Sequence, residues 1–109
     1  MQMEKLIVIG SGPAGLAAAL YTGRAGLNPL VLSGLEMGWQ ISLTYDVDNY
    51  LGFPDGTTGP ELIELMTNHV NKFDARLKFE EVTEVDFKNG PPFTISTYAE
   101  KHQAEAVVV

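Results

Sequence analysis

The chain has 109 residues, 45% of them hydrophobic, enough for one packed domain and short for a two-domain enzyme. Its 14 acidic and 7 basic residues give a formal net charge of −7, the wrong sign for a protein that neutralises a nucleic-acid backbone. It has no cysteine, which excludes a disulfide framework, a Cys-ligated metal and thiol chemistry within these residues.

Lys5 to Ile9 is an unalternating apolar run of the kind that forms a parallel strand covered on both faces. It leads into Gly10-Ser11-Gly12-Pro13-Ala14-Gly15, and the small-residue run from Leu16 to Tyr21 leads out, predicting a helix from Pro13 to about Ala25 with Gly26 as its stop. Strand, glycine turn and helix in that order are the context in which G-x-G-x-x-G signifies a dinucleotide site. Gly10 permits the tight turn, Gly12 leaves room for a pyrophosphate at the backbone, and Gly15 lets the helix sit close to the strand. Pro13 loses nothing near the first helical position, and the helix dipole there favours phosphate. Asn28-Pro29 turns the chain into a second buried strand, Leu30-Val31-Leu32, which ends at Ser33-Gly34. About 20 residues past Gly15 stands Glu36, where such folds place the carboxylate that holds a ribose hydroxyl.

Between Gly34 and Gly59 the periodicity breaks down into glycines, Pro54 and the aromatic residues Trp39, Tyr45, Tyr50 and Phe53. So long a loop lines a flat ring system or covers a core edge, and composition alone does not choose. Thr58-Gly59-Pro60-Glu61 opens a second helix with Thr58 or Gly59 as N-cap, and Leu62, Ile63, Met66, Val70 and Phe73 form one apolar stripe. His69, near that stripe, is expected to be a half-buried packing residue, because no further donor is spaced to make it a metal ligand. Leu77-Lys78-Phe79 begins a third strand. Val82 to Phe87 and Phe93 to Tyr98 predict a hairpin turning at Asn89-Gly90-Pro91-Pro92. His102 is expected in a solvated polar turn, and Ala104 to Val109 in another buried strand, within which the sequence stops.

Three stretches resemble the FAD-binding domain of the low-molecular-weight thioredoxin reductase family: Ile9 to Gly15, Gly34-Leu35-Glu36-Met37-Gly38-Trp39-Gln40, and Asp46 to Pro54. The helix start at Thr58 to Leu62 and the final Ala106-Val107-Val108-Val109 are similar as well. The resemblance implies an α/β fold, a Rossmann-like parallel sheet with flanking helices and a small antiparallel β-meander, with residues 1–109 an incomplete N-terminal part of the FAD-binding domain. It implies FAD as cofactor, held at Gly10, Ser11, Gly12, Pro13, Ala14 and Gly15 through the pyrophosphate and at Glu36 through the ribose. Ser33, Gly34, Leu35, Gly38 and Trp39 would belong to the same site, although relatives commonly carry glycine where Trp39 stands. Gln40, Thr44, Val47 and Asn49 would line the flavin end, and the backbone of Val82 would read the adenine edge.

For the parent enzyme the resemblance implies NADPH as electron donor, bound outside these residues, a thioredoxin-like redox partner and a homodimer. It implies no catalytic nucleophile and no metal here, so the 109 residues alone are expected to be inactive. A ferredoxin-NADP reductase of the same fold and a non-catalytic nucleotide-binding fragment are the alternatives. A plain NAD-binding domain explains the glycine turn but leaves the long loop without a purpose. With no signal-peptide pattern and no apolar run of membrane-spanning length, a soluble cytoplasmic protein without a membrane or nucleic-acid partner is expected.

Overall fold

In a computed structural model that describes residues 3–34 and 46–109, the first apolar run forms β1 (Met3–Ile9) and the helix that follows is α1 (Pro13–Arg24). Next come β2 (Leu30–Leu32), a two-residue ribbon of β3 (Asp46–Val47) and β4 (Thr57–Thr58), and α2 (Gly59–Asn71). The chain finishes with β5 (Arg76–Lys78), β6 (Val82–Asp86), β7 (Phe93–Thr97) and β8 (Lys101–Val108). Six strands make one sheet in the order β5-β2-β1-β8-β7-β6. β5, β2, β1 and β8 run parallel, while β7 and β6 continue the sheet as an antiparallel meander.

Burial follows the alternation of side chains across the strands. Leu6, Val8 and Val31 face one way and pack with Leu16 and Ala19 of α1 and Ile63 and Val70 of α2. Ile7, Leu30 and Leu32 face the other way and pack with Ile95 of the meander and Ala104 of β8. Helices therefore cover one face of the parallel strands and the meander closes over the other. That two-sided cover explains why β1 and β2 are continuous apolar runs rather than alternating ones.

The helix ends carry the chemistry their sequences suggest. Gly26, with φ +80°, follows the last turn of α1, and the Thr58 hydroxyl accepts the Glu61 N–H at 3.2 Å to cap α2. Gly59 is the first helical residue, so of the two N-cap candidates Thr58 is the cap, and Pro60 stands at the second helical position. β8 is longer than expected and begins at Lys101, which puts His102 inside a strand. His102 is buried at 6% exposure, and the solvated turn predicted for it is not found. The reason is a partner far away in sequence, Glu80, whose carboxylate meets His102 Nε2 at 2.9 Å and satisfies its polarity indoors. His69 departs the other way. It is exposed, with its ring 6.1 Å from that of Phe73, because the stripe of α2 turns Leu62, Ile63 and Val70 inward and leaves position 69 at its margin.

Candidate functional site

The C-terminal ends of β1 and β2 and the segment after β5 meet along one edge of the sheet. From β1 the chain winds first to β2 and β5, whereas β8 flanks β1 on its other side, so winding reverses beside β1. In open α/β sheets, ligands bind outside the carboxyl ends of the strands at such a reversal. A cleft of 350 Å³ lies there, lined by Ile9, Gly10, Ser11, Gly12, Leu32, Ser33, Gly34, Glu81 and Val82.

Its floor is held by backbone bonds. The Gly10 N–H donates to the Leu32 carbonyl at 3.0 Å, Ser33 N–H to Lys78 at 3.0 Å, and Gly34 N–H to Glu80 at 3.1 Å. Ser11, buried, donates its hydroxyl to the Ser33 carbonyl at 3.4 Å, so the serine of the glycine turn braces the cleft.

The three motif glycines fill three different roles. Gly10 has φ +109°, a backbone that side-chain-bearing residues rarely adopt. A Cβ on Gly15 would run into the carbonyl of Gly10, with the carbonyl carbon at 3.0 Å, so helix and turn are in direct backbone contact. At Gly12 a Cβ would meet nothing within 4 Å. Gly12 is also the N-cap of α1 and carries no side-chain cap, while a helix start presents N–H groups that have no intrahelical partner. Room at the backbone and an uncapped positive helix end thus coincide in this cleft, a combination suited to an anion. Ile9 and Val82, both half-buried, supply apolar surface for a flat ring beside it.

Of the residues singled out by sequence, the cleft brings together Gly10, Ser11, Gly12, Ser33, Gly34 and Val82. Pro13, Ala14 and Gly15 form the first turn of α1. Val47 is buried in the β3–β4 ribbon and Asn49 is exposed just after it, and neither lines the cleft. Leu35, Glu36, Gly38, Trp39, Gln40 and Thr44 lie outside the described residues. Three lining residues escaped sequence reasoning: Ile9 and Leu32, which read as core, and Glu81, whose exposed carboxylate carries no motif.

Behind Glu81 lies a polar cluster. Glu80 Oε1 accepts from the Thr97 hydroxyl at 2.8 Å and faces His102 Nε2 at 2.9 Å. Burial raises the pKa of the Glu80 carboxyl, but the hydrogen bonds from His102 and Thr97 outweigh it and hold the group below the ordinary carboxylate value. Among the described residues, Glu80, Glu100 and His102 place donor atoms within 4.8 Å of one another. Lys78 Nζ already stands 3.1 Å from Glu100 Oε2 and 3.9 Å from Glu80 Oε2, so an internal cation answers that charge.

A larger hollow of 630 Å³ opens at the other end of the sheet, beside Gly23, Gly26, Asn28, Asp74 and Arg76. There Arg76 is committed to Glu4 through two bonds and to Asn28 through two more. Size does not mark the site; the cleft at the glycine turn has the chemistry.

The family model for pyridine nucleotide-disulphide oxidoreductases matches residues 4–109. The chain belongs to this family. Over 107 residues it is 45% identical to a thioredoxin reductase of Mycolicibacterium smegmatis, a match covering 98% of this chain and 34% of that protein. It is 37% identical to a glucosaminate ammonia-lyase of Pseudomonas fluorescens, over 97% of this chain and 33% of that one. Its structure is similar to thioredoxin reductase from Giardia duodenalis, with a TM-score of 0.90 and 34% identity, covering 98% of this chain and 35% of the other. The chain therefore spans about a third of the length of these oxidoreductase-family relatives, and its Rossmann-like sheet with a meander is their fold.

Proposed function

We propose that residues 1–109 are the N-terminal part of the FAD-binding domain of a thioredoxin-reductase-like flavoprotein that passes electrons from NAD(P)H through FAD to a disulfide. The observation that carries this reading is the open space at Gly12, in a cleft where an uncapped helix end and the C-terminal ends of parallel strands converge. Backbone N–H groups along Gly10 to Gly15 would bind the pyrophosphate, and Ser33 and Gly34 would form the facing lip. Val82 would meet the adenine and Glu36 the ribose. Leu35, Gly38 and Trp39 would run beside the cofactor toward Gln40, Thr44, Val47 and Asn49 at the flavin end.

When bound, FAD supplies the electron exchange, and these residues bind and orient it. No cysteine is present, so the reacting thiols are assigned to another part of the whole protein. NADPH as donor, a thioredoxin-like acceptor, a homodimeric assembly and a cytoplasmic location complete the reading. Among the described residues no helix is long and apolar enough to cross a membrane.

One comparison favours a second reading. Likeness to a protein named as an ammonia-lyase extends over nearly the whole chain, so these residues also suit a cofactor platform serving different chemistry. Purifying the full-length protein that carries this chain separates the two. The first reading expects flavin absorbance and NADPH-dependent reduction of thioredoxin. Bound flavin without disulfide reduction selects the second, and a protein that stays colourless with added FAD overturns both.

A further inference from the structure

Glu80 sits at a junction, and each of its groups holds a different part of the fold. Its carbonyl accepts the Gly34 N–H at 3.1 Å, tying it to the lip that follows β2. Its carboxylate reaches the other way, to Thr97 at the end of β7 and His102 in β8. Because an ionised carboxylate only accepts, His102 Nε2 carries the hydrogen in this contact. Thr97 is held in turn: its hydroxyl oxygen accepts the N–H groups of Ala99 and Glu100, each at 3.1 Å. Its single hydroxyl hydrogen has two acceptors in reach, the Glu80 carboxylate at 2.8 Å and the Glu100 carbonyl at 3.2 Å, and the shorter contact is the one to Glu80.

The two residues after Glu80 are Glu81 and Val82, the wall of the cleft that faces the glycine turn. Val82 pairs with Thr97 and packs against the cluster of Ile7, Leu30 and Ile95, but the wall has little other support. β6 is the edge strand of the sheet, Val82 is half-buried, the remaining β6 residues are exposed, and the register with β7 slips between Val82 and Glu84. The Glu80 carboxylate and the imidazole that grips it are better buried by contrast, at 14% exposure for Glu80 and 7% for His102. An edge segment with slipped pairing acquires a defined position only from such a buried anchor.

We infer that Glu80, gripped by Thr97 and His102, is a positioning residue that sets the Glu81–Val82 wall against the base of the bound nucleotide, so that nucleotide affinity depends on this buried network. The inference rests on the proposed reading of the cleft as the ADP half of an FAD site. It concerns residues that do not themselves line the cleft.

The test is calorimetric titration of FAD, and separately of ADP, into the full-length apoprotein, with thermal melting of each apoprotein alongside. Glu80→Ala is expected to weaken both ligands about tenfold, the scale of losing a buried hydrogen-bonded anchor. Glu80→Gln keeps an oxygen that accepts from Thr97 and His102 and is expected to stay within about twofold of wild type. Thr97→Val removes one of the two bonds to the Glu80 carboxylate at constant shape, together with the hydroxyl's own bonds to Ala99 and Glu100, is expected to weaken binding about threefold, and serves alone if Glu80→Ala does not fold. Wild-type affinity in Glu80→Ala or Thr97→Val overturns the inference, as does a Glu80→Gln loss equal to that of alanine. A wild-type protein that binds neither FAD nor ADP overturns the functional reading instead.

Discussion

The two ends of the parallel strands use opposite means to finish the sheet. At the N-terminal end the work falls to side chains: Arg76 Nη2 meets Glu4 Oε1 at 2.5 Å and the Asn28 carbonyl at 2.8 Å, across three separate strand starts. Those charges satisfy one another, so Arg76 in the wall of the large hollow is already engaged by Glu4 and Asn28. At the C-terminal end the lips are backbone, glycine and small residues, and an uncapped helix start points into open space at Gly12. Polar groups paired with each other hold a fold together. Backbone dipoles facing room are what an incoming anion can use.

Substitutions at the two ends should separate these roles. The largest effect is expected at Gly15. An alanine there drives its Cβ into the backbone of Gly10, which cannot rotate away as a side chain would. Gly15→Ala is expected to lower stability by about 3 kcal/mol, the upper range for overpacking, and to abolish cofactor binding with it. Denaturant midpoints of the full-length protein measure this, and an unchanged midpoint would show that the helix can lift off the turn at no cost. Next comes Glu4→Ala. Glu4 is buried but Arg76 is 38% exposed, so the freed guanidinium turns to water and the cost is expected to be about 1–2 kcal/mol. FAD affinity should not change. If it falls, the two ends are coupled and the division drawn between them fails.

Much of this layout was legible in advance because its causes are local. The run from Leu6 to Ile9, the glycine turn, the apolar Leu30 to Leu32 and the Thr58–Glu61 cap each declare themselves within a few residues. Of the cleft, the turn, Ser33, Gly34 and Val82 were named beforehand. What was not legible depends on partners distant in the chain. Lys101-His102-Gln103 reads as a polar turn until Glu80 is folded against it, and Glu4, just outside the predicted first strand, gives no signal until Arg76 arrives from 72 residues away. Glu81 joins the cleft through the packing of the segment after β5 and bears no motif of its own. The β3–β4 ribbon is too short, at two residues a strand, to produce a periodic signal.

The smallest change in the fold should have the most telling effect on the ligand. Gly12 has φ −68° and ψ 177°, a backbone that alanine adopts without strain, and its Cβ would enter empty space. Alanine is a poorer N-cap than glycine, so Gly12→Ala is expected to cost the apoprotein about 1 kcal/mol at most. Titrating FAD into full-length wild-type and Gly12→Ala apoproteins, while following flavin fluorescence, tests whether that space belongs to a phosphate. The expected result is a Kd raised about tenfold or more in the variant, with the melting temperature of the apoprotein nearly unchanged. An equal Kd in the two proteins would contradict the assignment of this cleft to the pyrophosphate of FAD.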